Sequence, residues 1–429
     1  MTFPRSLKAL CTAFAGLGLA AVAAAAPVPI GDEIQVNTYT TGNQDFAMVA
    51  GTPGGGFVVV WESTGFDGSA DGVSLQRYDA SGAAVGGELQ VNSFTTGNQQ
   101  DPAVAVGDDG SFVVVWDGGA VQDGDQRGIF GRRFDSAANP VGDEFQVNAI
   151  GTGDQNDPVV AKFSDGGFVV VWEDEQVGTG TAEDLVARRF DSAGDPAGAE
   201  IDVNVFVSND QEDAAVATDA AGGFVVAWES YGEDGHYDSI VVRRFDSAGA
   251  PLSGDTQVNV FTLGDQDDPA LAVHPDGSFV VVWEDDYQTS PVEKSFARFF
   301  DSAGSPLTGE VEVSAVSDQV NPAAAAGDDG STTLVWDSDG VDGDALGVFG
   351  RTFDGTGTAV GSQFQVNLTT AGPQGHPVVA GSNGQFLVVW EDPVTEGDGV
   401  GLYARRLADA IFSDGFESGD TTAWSAVAP

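Results

Sequence analysis

The chain has 429 residues, of which 16 are basic and 66 acidic, so its formal net charge is -50. This balance argues against nucleic acid as a partner, because phosphate binding needs clustered lysines and arginines. It argues equally against an anionic membrane surface, and it favours cations and basic partners. A hydrophobic content of 41%, with 27 Phe and 8 Trp, argues against disorder because it is enough to build a core.

Residues 1–25 have the pattern of an export signal. Two basic residues precede an apolar stretch rich in small residues at positions 9–25, and Ala23-Ala24-Ala25 offers a cleavage site. The mature chain is therefore expected to begin near Ala26 and to be secreted, without insertion in the membrane. The one cysteine, Cys11, lies in this segment, so the mature protein is predicted to have no disulfide.

Seven copies of one unit follow the signal. A Trp ends an apolar run in each copy, and a Gln recurs with the same period about 17 residues earlier. Successive Trp residues are 53 to 56 positions apart, at Trp61, Trp116, Trp172, Trp228, Trp283, Trp336 and Trp390. The Gln residues are Gln44, Gln99, Gln155, Gln211, Gln266, Gln319 and Gln374.

Each unit reads as four short strands. In the second unit these are residues 102–106, 112–116, 129–134 and 144–148, separated by turn sequences. No helical pattern occurs outside the signal. Four strands in about 55 residues match a propeller blade, whereas an immunoglobulin-like sandwich needs roughly 100 residues.

The two ends of the repeat region predict how the ring closes. The first strand, residues 33–37, has the pattern of a fourth strand, and the last, residues 402–407, that of a third strand. Pairing them leaves no blade with an open edge. The sequence therefore predicts an all-β, seven-bladed β-propeller at residues 26–407, with four antiparallel strands per blade and the N-terminal strand closing the last blade. Residues 408–429 form a C-terminal tail.

Several motifs resemble repeats of known proteins. Gly-Ser-Phe-Val-Val-Val-Trp at 110–116, Arg-Arg-Phe-Asp-Ser-Ala at 132–137 and Gln-Val-Asn at 146–148 are similar to repeats of bacterial secreted β-propeller proteins, among them some calcium-dependent surface proteins and adhesins. The likeness covers residues 31–407 and implies an exported propeller, without implying a particular reaction. The tail, with Asp-Gly-Phe-Glu-Ser-Gly-Asp at 414–420, resembles a short C-terminal segment of many exported Gram-negative proteins. A flexible tail and a sorting or attachment signal remain the two interpretations of it.

Repeated residues are expected to be structural, because a catalytic centre needs different groups that converge once. An acid follows every Trp, and arginines recur on the third strand, so we expect ion pairs within each blade; an anion-binding ring of arginines is the alternative. The repeated Gln is expected to link adjacent blades, with ligand binding over the channel mouth as the alternative. His274 and His376 each precede a Pro and are expected in loops.

The loop after the second strand of the sixth unit is a candidate calcium site. It combines several carboxylates with Gly340 and Gly343, and hard oxygen ligands on a pliable backbone suit Ca²⁺. An acidic, solvated loop is the alternative interpretation. The candidate ligands are Asp337, Asp339, Asp342 and Asp344.

The equivalent loops of the fourth and fifth units depart from the repeat and hold three of the six tyrosines. Tyrosines beside acids can stack on sugars or bind a basic peptide, whereas ordinary loop variation is the alternative. The candidate ligand-binding residues are Tyr231, Glu233, Asp234, His236, Tyr237, Asp285, Asp286 and Tyr287.

No catalytic residues are predicted. The three histidines lie in three different units, and neither a nucleophile elbow nor a phosphate-binding loop occurs. We therefore predict a secreted, non-enzymatic module that binds an extracellular glycan or protein; the alternative is an extracellular hydrolase or lyase acting on polysaccharide. An enzyme should have one channel-mouth pocket with dissimilar polar groups and perturbed pKa values, whereas a binding module should have a shallow patch.

Overall fold

The computed structural model describes residues 26–409 except 125, 150, 176–181, 287–292, 316–318 and 394–398. Within these residues, 28 strands form seven four-stranded antiparallel sheets, and one four-residue helical turn, α1 (Ala120–Asp123), lies in the second sheet. The sheets surround a common axis, which confirms the predicted seven-bladed β-propeller. The predicted signal, residues 1–25, and residues 410–429 of the predicted tail lie outside the described residues.

We letter the strands of each blade a to d from the axis outward. The first strand of the chain, β1 (Pro27–Gln35), is strand d of blade 7. Blade 1 consists of β2 (Gln44–Thr52), β3 (Gly56–Thr64), β4 (Asp71–Tyr78) and β5 (Ala84–Gln90), and blade 2 of β6 (Gln99–Val106), β7 (Phe112–Gly118), β8 (Gly128–Phe134) and β9 (Phe145–Gln146). Blade 3 consists of β10 (Gln155–Lys162), β11 (Phe168–Asp174), β12 (Asp184–Phe190) and β13 (Ile201–Asp202), and blade 4 of β14 (Gln211–Thr218), β15 (Phe224–Tyr231), β16 (Asp238–Phe245) and β17 (Thr256–Gln257).

The remaining strands follow the same order. Blade 5 consists of β18 (Gln266–Val273), β19 (Phe279–Asp285), β20 (Lys294–Phe300) and β21 (Val311–Glu312), and blade 6 of β22 (Val320–Ala326), β23 (Thr332–Asp339), β24 (Leu346–Phe353) and β25 (Ala359–Gln365). Blade 7 consists of β26 (Gly375–Ser382), β27 (Gln385–Asp392) and β28 (Gly401–Asp409), together with β1. No helix within the described ranges has the length and apolar character of a membrane span.

The N-terminal strand closes the ring. β1 pairs antiparallel with β28, with Ile34 opposite Ala404 and Val28 opposite Ala408, so the last sheet has the order β1-β28-β27-β26. The strand lies earlier in the chain than the predicted 33–37, and a bulge between Ile30 and Ile34 divides it. The predicted closure is therefore present, made by a longer strand than the sequence pattern indicated.

The core lies between the blades. Each repeated Trp is almost fully buried and packs against the preceding blade, as Trp116 does with Val60 and Leu75 of blade 1. A further cluster joins blade 7 to blade 1, where Trp61 packs with Leu402. Apolar burial is thus continuous around the ring, and it stabilises each blade through its neighbours.

Among the described residues, the predicted ion pairs between strand-b acids and strand-c arginines are not formed, although Asp117 of blade 2 pairs at 3.0 Å with Arg127, which lies just before strand c. Asp117 lies opposite Ile129, whereas Arg132 lies opposite Val114, so the two backbone positions are offset by three residues, about 10 Å along the strand, and their side chains point to opposite faces of the sheet. The arginine instead crosses to the preceding blade, where Arg132 Nη1 donates to the Val91 carbonyl at 2.7 Å. The same bond recurs at Arg188, Arg243, Arg298, Arg351 and Arg405.

The repeated Gln links adjacent blades, as predicted. The Asn after strand d of one blade donates its Nδ2 to the Gln Oε1 that begins strand a of the next blade. The bond measures 2.7 to 3.1 Å at Asn92–Gln99, Asn148–Gln155, Asn259–Gln266 and Asn367–Gln374.

Candidate functional site

A β-bulge interrupts strand a of every blade, two residues after the repeated Gln. In blade 2 the register shifts between Gln100 and Ala103, and Asp101 lies at φ 49°. L-residues rarely adopt positive φ, although Asp and Asn tolerate it better than others. The seven residues at φ 48° to 51° are Phe46, Asp101, Asp157, Asp213, Asp268, Asn321 and His376.

At five of the seven bulges, the acid that follows the Trp of the preceding blade holds this strained backbone. Glu62 Oε1 of blade 1 accepts the N–H of Asp101 at 2.7 Å, and Glu391 Oε1 of blade 7 accepts that of Phe46 at 3.0 Å. Equivalent bonds join Asp213 to Glu173, Asn321 to Glu284 and His376 to Asp337. These acids therefore connect neighbouring blades at the axis and fix where the bulge side chains lie.

The bulges line one cavity of about 520 Å³ on the propeller axis, which we call the axial cavity. Blades 2 to 5 each contribute an Asp, whereas blades 6, 7 and 1 contribute Asn321, His376 and Phe46. The Phe46 side chain is 58% exposed and lies close in sequence to the exposed Met48. The described residues that line the axial cavity thus form an acidic wall and an apolar wall, and none of them is Lys or Arg.

Burial and mutual repulsion weaken the acidity of this wall. Burial, with the nearby Asp157 charge, raises the pKa of Asp101 to about 7. Burial, with the Asp268 charge, raises the pKa of Asp213 to about 6, and burial with the Glu391 charge does the same for Asp45. Near neutral pH these carboxyl groups therefore offer both hydrogen-bond donors and acceptors.

His376 is the one basic side chain in the lining. Its Nδ1 lies 3.0 Å from Glu391 Oε2, and this hydrogen bond raises the pKa of the imidazole. The expectation that His376 lies in a loop is wrong: it belongs to β26, at the bulge. The other Pro-preceding histidine, His274, does lie in a loop, after β18.

The axial cavity was not predicted from the sequence, because departures from the repeat had been expected to matter only in the loops. The signal was present, since the position two after the repeated Gln is Asp in blades 2 to 5 and changes to Asn321, His376 and Phe46 elsewhere. The Pro that follows in five blades marks the same position, which is compatible with an irregular strand.

The predicted tyrosine patch is only partly described. Tyr231 and Tyr237 are exposed and lie at the two ends of the β15–β16 loop, whereas Tyr287 lies outside the described residues. Asp285 is buried in β19, so it does not belong to an exposed surface. The other predicted residues form local contacts: Glu233 accepts from Ser230, Asp234 accepts from the His236 N–H, and Asp286 accepts from the Asp265 N–H. A ligand role for this patch stays a prediction.

The four predicted calcium ligands have different surroundings. Asp337 is buried and bonds the N–H of His376, whereas Asp339 is exposed. Asp342 accepts from Asn367, and Asp344 accepts from the Gly372 N–H, so both hold the loop that leads to blade 7. Calcium at this loop stays a prediction.

A different group of carboxylates comes closer together. Glu229, Asp238 and Asp267 have ligand atoms within 4.8 Å of one another, the only such trio in the described part of the chain. Burial raises the pKa of Glu229 to about 10 and that of Asp267 to about 8. Sequence spacing could not reveal the trio, because it joins two strands of blade 4 to strand a of blade 5.

Comparisons with known proteins support the fold. No protein-family model and no curated protein matches the chain. Among solved structures, a polysaccharide lyase, Uly1, is similar with a TM-score of 0.55 at 10% identity, over 89% of this chain and 100% of the lyase. A protein of unknown function from Dyadobacter fermentans DSM 18053 is similar with a TM-score of 0.54 at 11% identity, over 89% of this chain and 99% of that one. A fungal alcohol oxidase in complex with copper is similar with a TM-score of 0.54 at 13% identity, over 88% and 76% of the two chains. At these identities the likeness establishes a shared β-propeller fold.

Proposed function

We propose that this protein is an exported glycan-binding module whose binding site is the axial cavity. The main observation behind this proposal is that a wall of Asp residues and the exposed Phe46 line the same concave site. Carboxyl groups accept and donate hydrogen bonds to neighbouring sugar hydroxyls, while an aromatic face packs on the sugar ring. The export pattern of residues 1–25 supports an extracellular ligand.

The charge of the cavity selects among glycans. Four Asp residues at the bulges and the overall charge of -50 repel uronates and sulfated sugars. His376 is the one basic group in the lining, and its Nδ1 is already engaged by Glu391. Neutral or amino-sugar chains are therefore the glycans that suit the site.

Hydrolysis at the same cavity is the second candidate function. Glycosidases pair a carboxylic acid of raised pKa with an ionised carboxylate. Asp101, with its pKa raised to about 7, lies near enough to Asp157 for the second charge to contribute to that shift. This cavity also meets the expectation that an enzyme should have one pocket with dissimilar polar groups and perturbed pKa values.

A glycan array followed by a cleavage assay tests both candidates. Binding to neutral or amino glycans, and not to anionic ones, is expected for the intact protein. Phe46→Ala should lower affinity by about tenfold or more, since aromatic stacking is lost. The matched control removes two exposed aromatics elsewhere, Tyr231→Ala with Tyr237→Ala, and should leave binding unchanged. Loss of binding in the control, with retention in Phe46→Ala, would move the site to the tyrosine patch.

The cleavage assay separates the two functions. Release of reducing ends from a bound glycan, abolished by Asp101→Asn, would identify a hydrolase. Binding without release would identify a binding module.

A further inference from the structure

Blade 3 carries two buried acids opposite each other where blade 5 pairs an acid with a lysine. Asp174 at the end of β11 lies opposite Asp184 at the start of β12. At the equivalent positions of blade 5, Asp285 lies opposite Lys294. Directly opposed residues share one face of the sheet, so like charges there are unfavourable and opposite charges favourable.

In blade 5 the lysine ammonium is bound by a third residue. Lys294 is buried, and its Nζ lies 3.2 Å from Glu312 Oε1 on strand d. Glu312 lies opposite Phe296, and Asp202 of blade 3 lies opposite Val186, so these two acids occupy equivalent positions. The other five blades have Gln there: Gln35, Gln90, Gln146, Gln257 and Gln365. Blade 3 therefore has the acids of the blade 5 ammonium site, with a further acid in place of its cation.

One carboxylate oxygen of this group lacks a partner. Asp184 is 1% exposed, and its Oδ1 accepts from Asn204 Nδ2 at 2.6 Å. Its Oδ2 is buried and bonds no other described residue. At four other junctions the equivalent Asn donates to the Gln of the next blade, whereas Asn204 donates to Asp184. A buried carboxylate oxygen without a donor is costly, and a ligand that donates to it is favoured.

Asp184 lines a cavity of about 510 Å³, which we call the blade 3 cavity. Its other lining residues are Asp202, Asn204, Val205, Val207 and Arg243. Val205 and Val207 are exposed, and they offer apolar contact beside the acids. The Arg243 guanidinium is already held by the carbonyls of Val203 and Ser253.

We propose that the blade 3 cavity binds a primary aliphatic amine, whose ammonium group lies beside Asp184 and Asp202 as the Lys294 ammonium lies beside Glu312. The ammonium supplies the donor that Asp184 Oδ2 lacks, and the two valines contact the carbon chain. A metal ion suits the cavity less well, because the trio with ligand atoms within 4.8 Å among the described residues lies elsewhere. The site shares no lining residue with the axial cavity, so it is independent of the glycan proposal.

Calorimetric titration with n-butylammonium chloride tests the proposal. Saturable binding is expected, with tetramethylammonium chloride at equal concentration as the control that lacks N–H donors. Asp184→Asn keeps the side-chain shape and should weaken binding by about tenfold or more, because it removes a charge-assisted hydrogen bond. Asp202→Asn should weaken it in the same direction. Equal binding by wild type and both variants would overturn the proposal, as would equal binding of the two ammonium salts.

Substitutions that move the ammonium group from blade 5 to blade 3 give a second test. Asp184→Lys places a tethered ammonium in blade 3, and it should raise the melting temperature and abolish butylammonium binding. Lys294→Ala vacates the ammonium position in blade 5 and should add a second butylammonium site. Retained binding in Asp184→Lys would contradict the assignment.

The affinities of two further amines distinguish between two natural sources of the ligand. Nα-acetyl-lysine amide and spermidine are titrated in parallel with butylammonium. Tighter binding of the first indicates a lysine side chain of a protein, and tighter binding of the second indicates a free polyamine. Failure of all three amines to bind the wild-type protein would overturn the proposal.

Discussion

Glu391 Oε2 lies 3.0 Å from His376 Nδ1, within one blade and at the edge of the axial cavity. The other oxygen of Glu391 accepts the N–H of Phe46, the first bulge residue of the chain. One carboxylate therefore orients the imidazole and joins blade 7 to blade 1 at the point where the ring closes.

This contact predicts the titration of His376. The hydrogen bond to Glu391 raises the imidazole pKa, so Glu391→Gln should lower that pKa toward its ordinary value. The measurement is the pH titration of the His376 ring protons by NMR. Glu284→Gln, which alters the equivalent acid of blade 5, is the matched control and should leave the His376 titration in place. An unchanged titration in Glu391→Gln would show that the pair is not formed in solution.

Buried acids at the axis predict that stability falls as pH rises. Burial raises the pKa of Glu62 to about 9 and that of Glu284 to about 8, so the folded state favours their protonated forms. Their contribution is fully present below the unfolded pKa, about 4.3, and is lost as pH rises to the folded value. The melting temperature should therefore fall between pH 5 and pH 9.

Glu62→Gln isolates one of these contributions. The amide still has an oxygen to accept the Asp101 N–H, but it does not ionise. The free energy of unfolding of the variant minus that of wild type should therefore be on the order of 1 kcal/mol more favourable at pH 9 than at pH 5. Melting curves at both pH values measure this, and parallel pH profiles for the two proteins would contradict it.

Ring closure by β1 predicts a large effect of deleting residues 27–35. The deletion exposes the edge of β28, so it should cause aggregation or a marked loss of melting temperature. Glu33→Ala is the milder control, because it keeps the strand and removes the bonds to the N–H groups of Leu368 and Thr369 and to the Thr369 hydroxyl. Glu33→Ala should lower the free energy of unfolding by roughly 1–3 kcal/mol. A deletion no worse than this substitution would refute the role of β1.

The calcium prediction is tested by chelation. If the β23–β24 loop binds Ca²⁺, a chelator should lower the melting temperature, and Asp339→Ala with Asp342→Ala should remove that sensitivity. Asp234→Ala, in the equivalent loop of blade 4, is the control and should keep it. Identical melting curves with chelator and with excess calcium would leave an acidic, solvated loop.

The fold could be predicted from the sequence because its determinants recur. Trp61 and its six equivalents fix the period, and the patterns of the two chain ends indicate which strands meet. The partner of Arg132 could not be predicted in this way, because it depends on strand register. The strands place Asp117 three positions from the residue opposite Arg132, and they bring the Val91 carbonyl of the preceding blade within reach. A period identifies equivalent residues and leaves open what each of them contacts.

The candidate site was harder to predict because it depends on a local backbone irregularity. Asp101 lies in a segment that reads as an ordinary strand, and only the bulge turns it toward the axis at positive φ. Asp184 is similar, because its significance appears only when β12 is aligned with β20 and Lys294 is found at the equivalent position.

The backbone bonds at the bulges have an evolutionary consequence. Glu62 bonds the main-chain N–H of Asp101, so this bond between two blades does not depend on the Asp101 side chain. Seven such positions face one cavity, and at five of them the N–H bond to the acid does not depend on the bulge side chain, provided that a new residue tolerates positive φ. Single substitutions around this ring could therefore give the protein a new ligand preference while its stability remained almost unchanged, so that ligand specificity and folding can be selected separately.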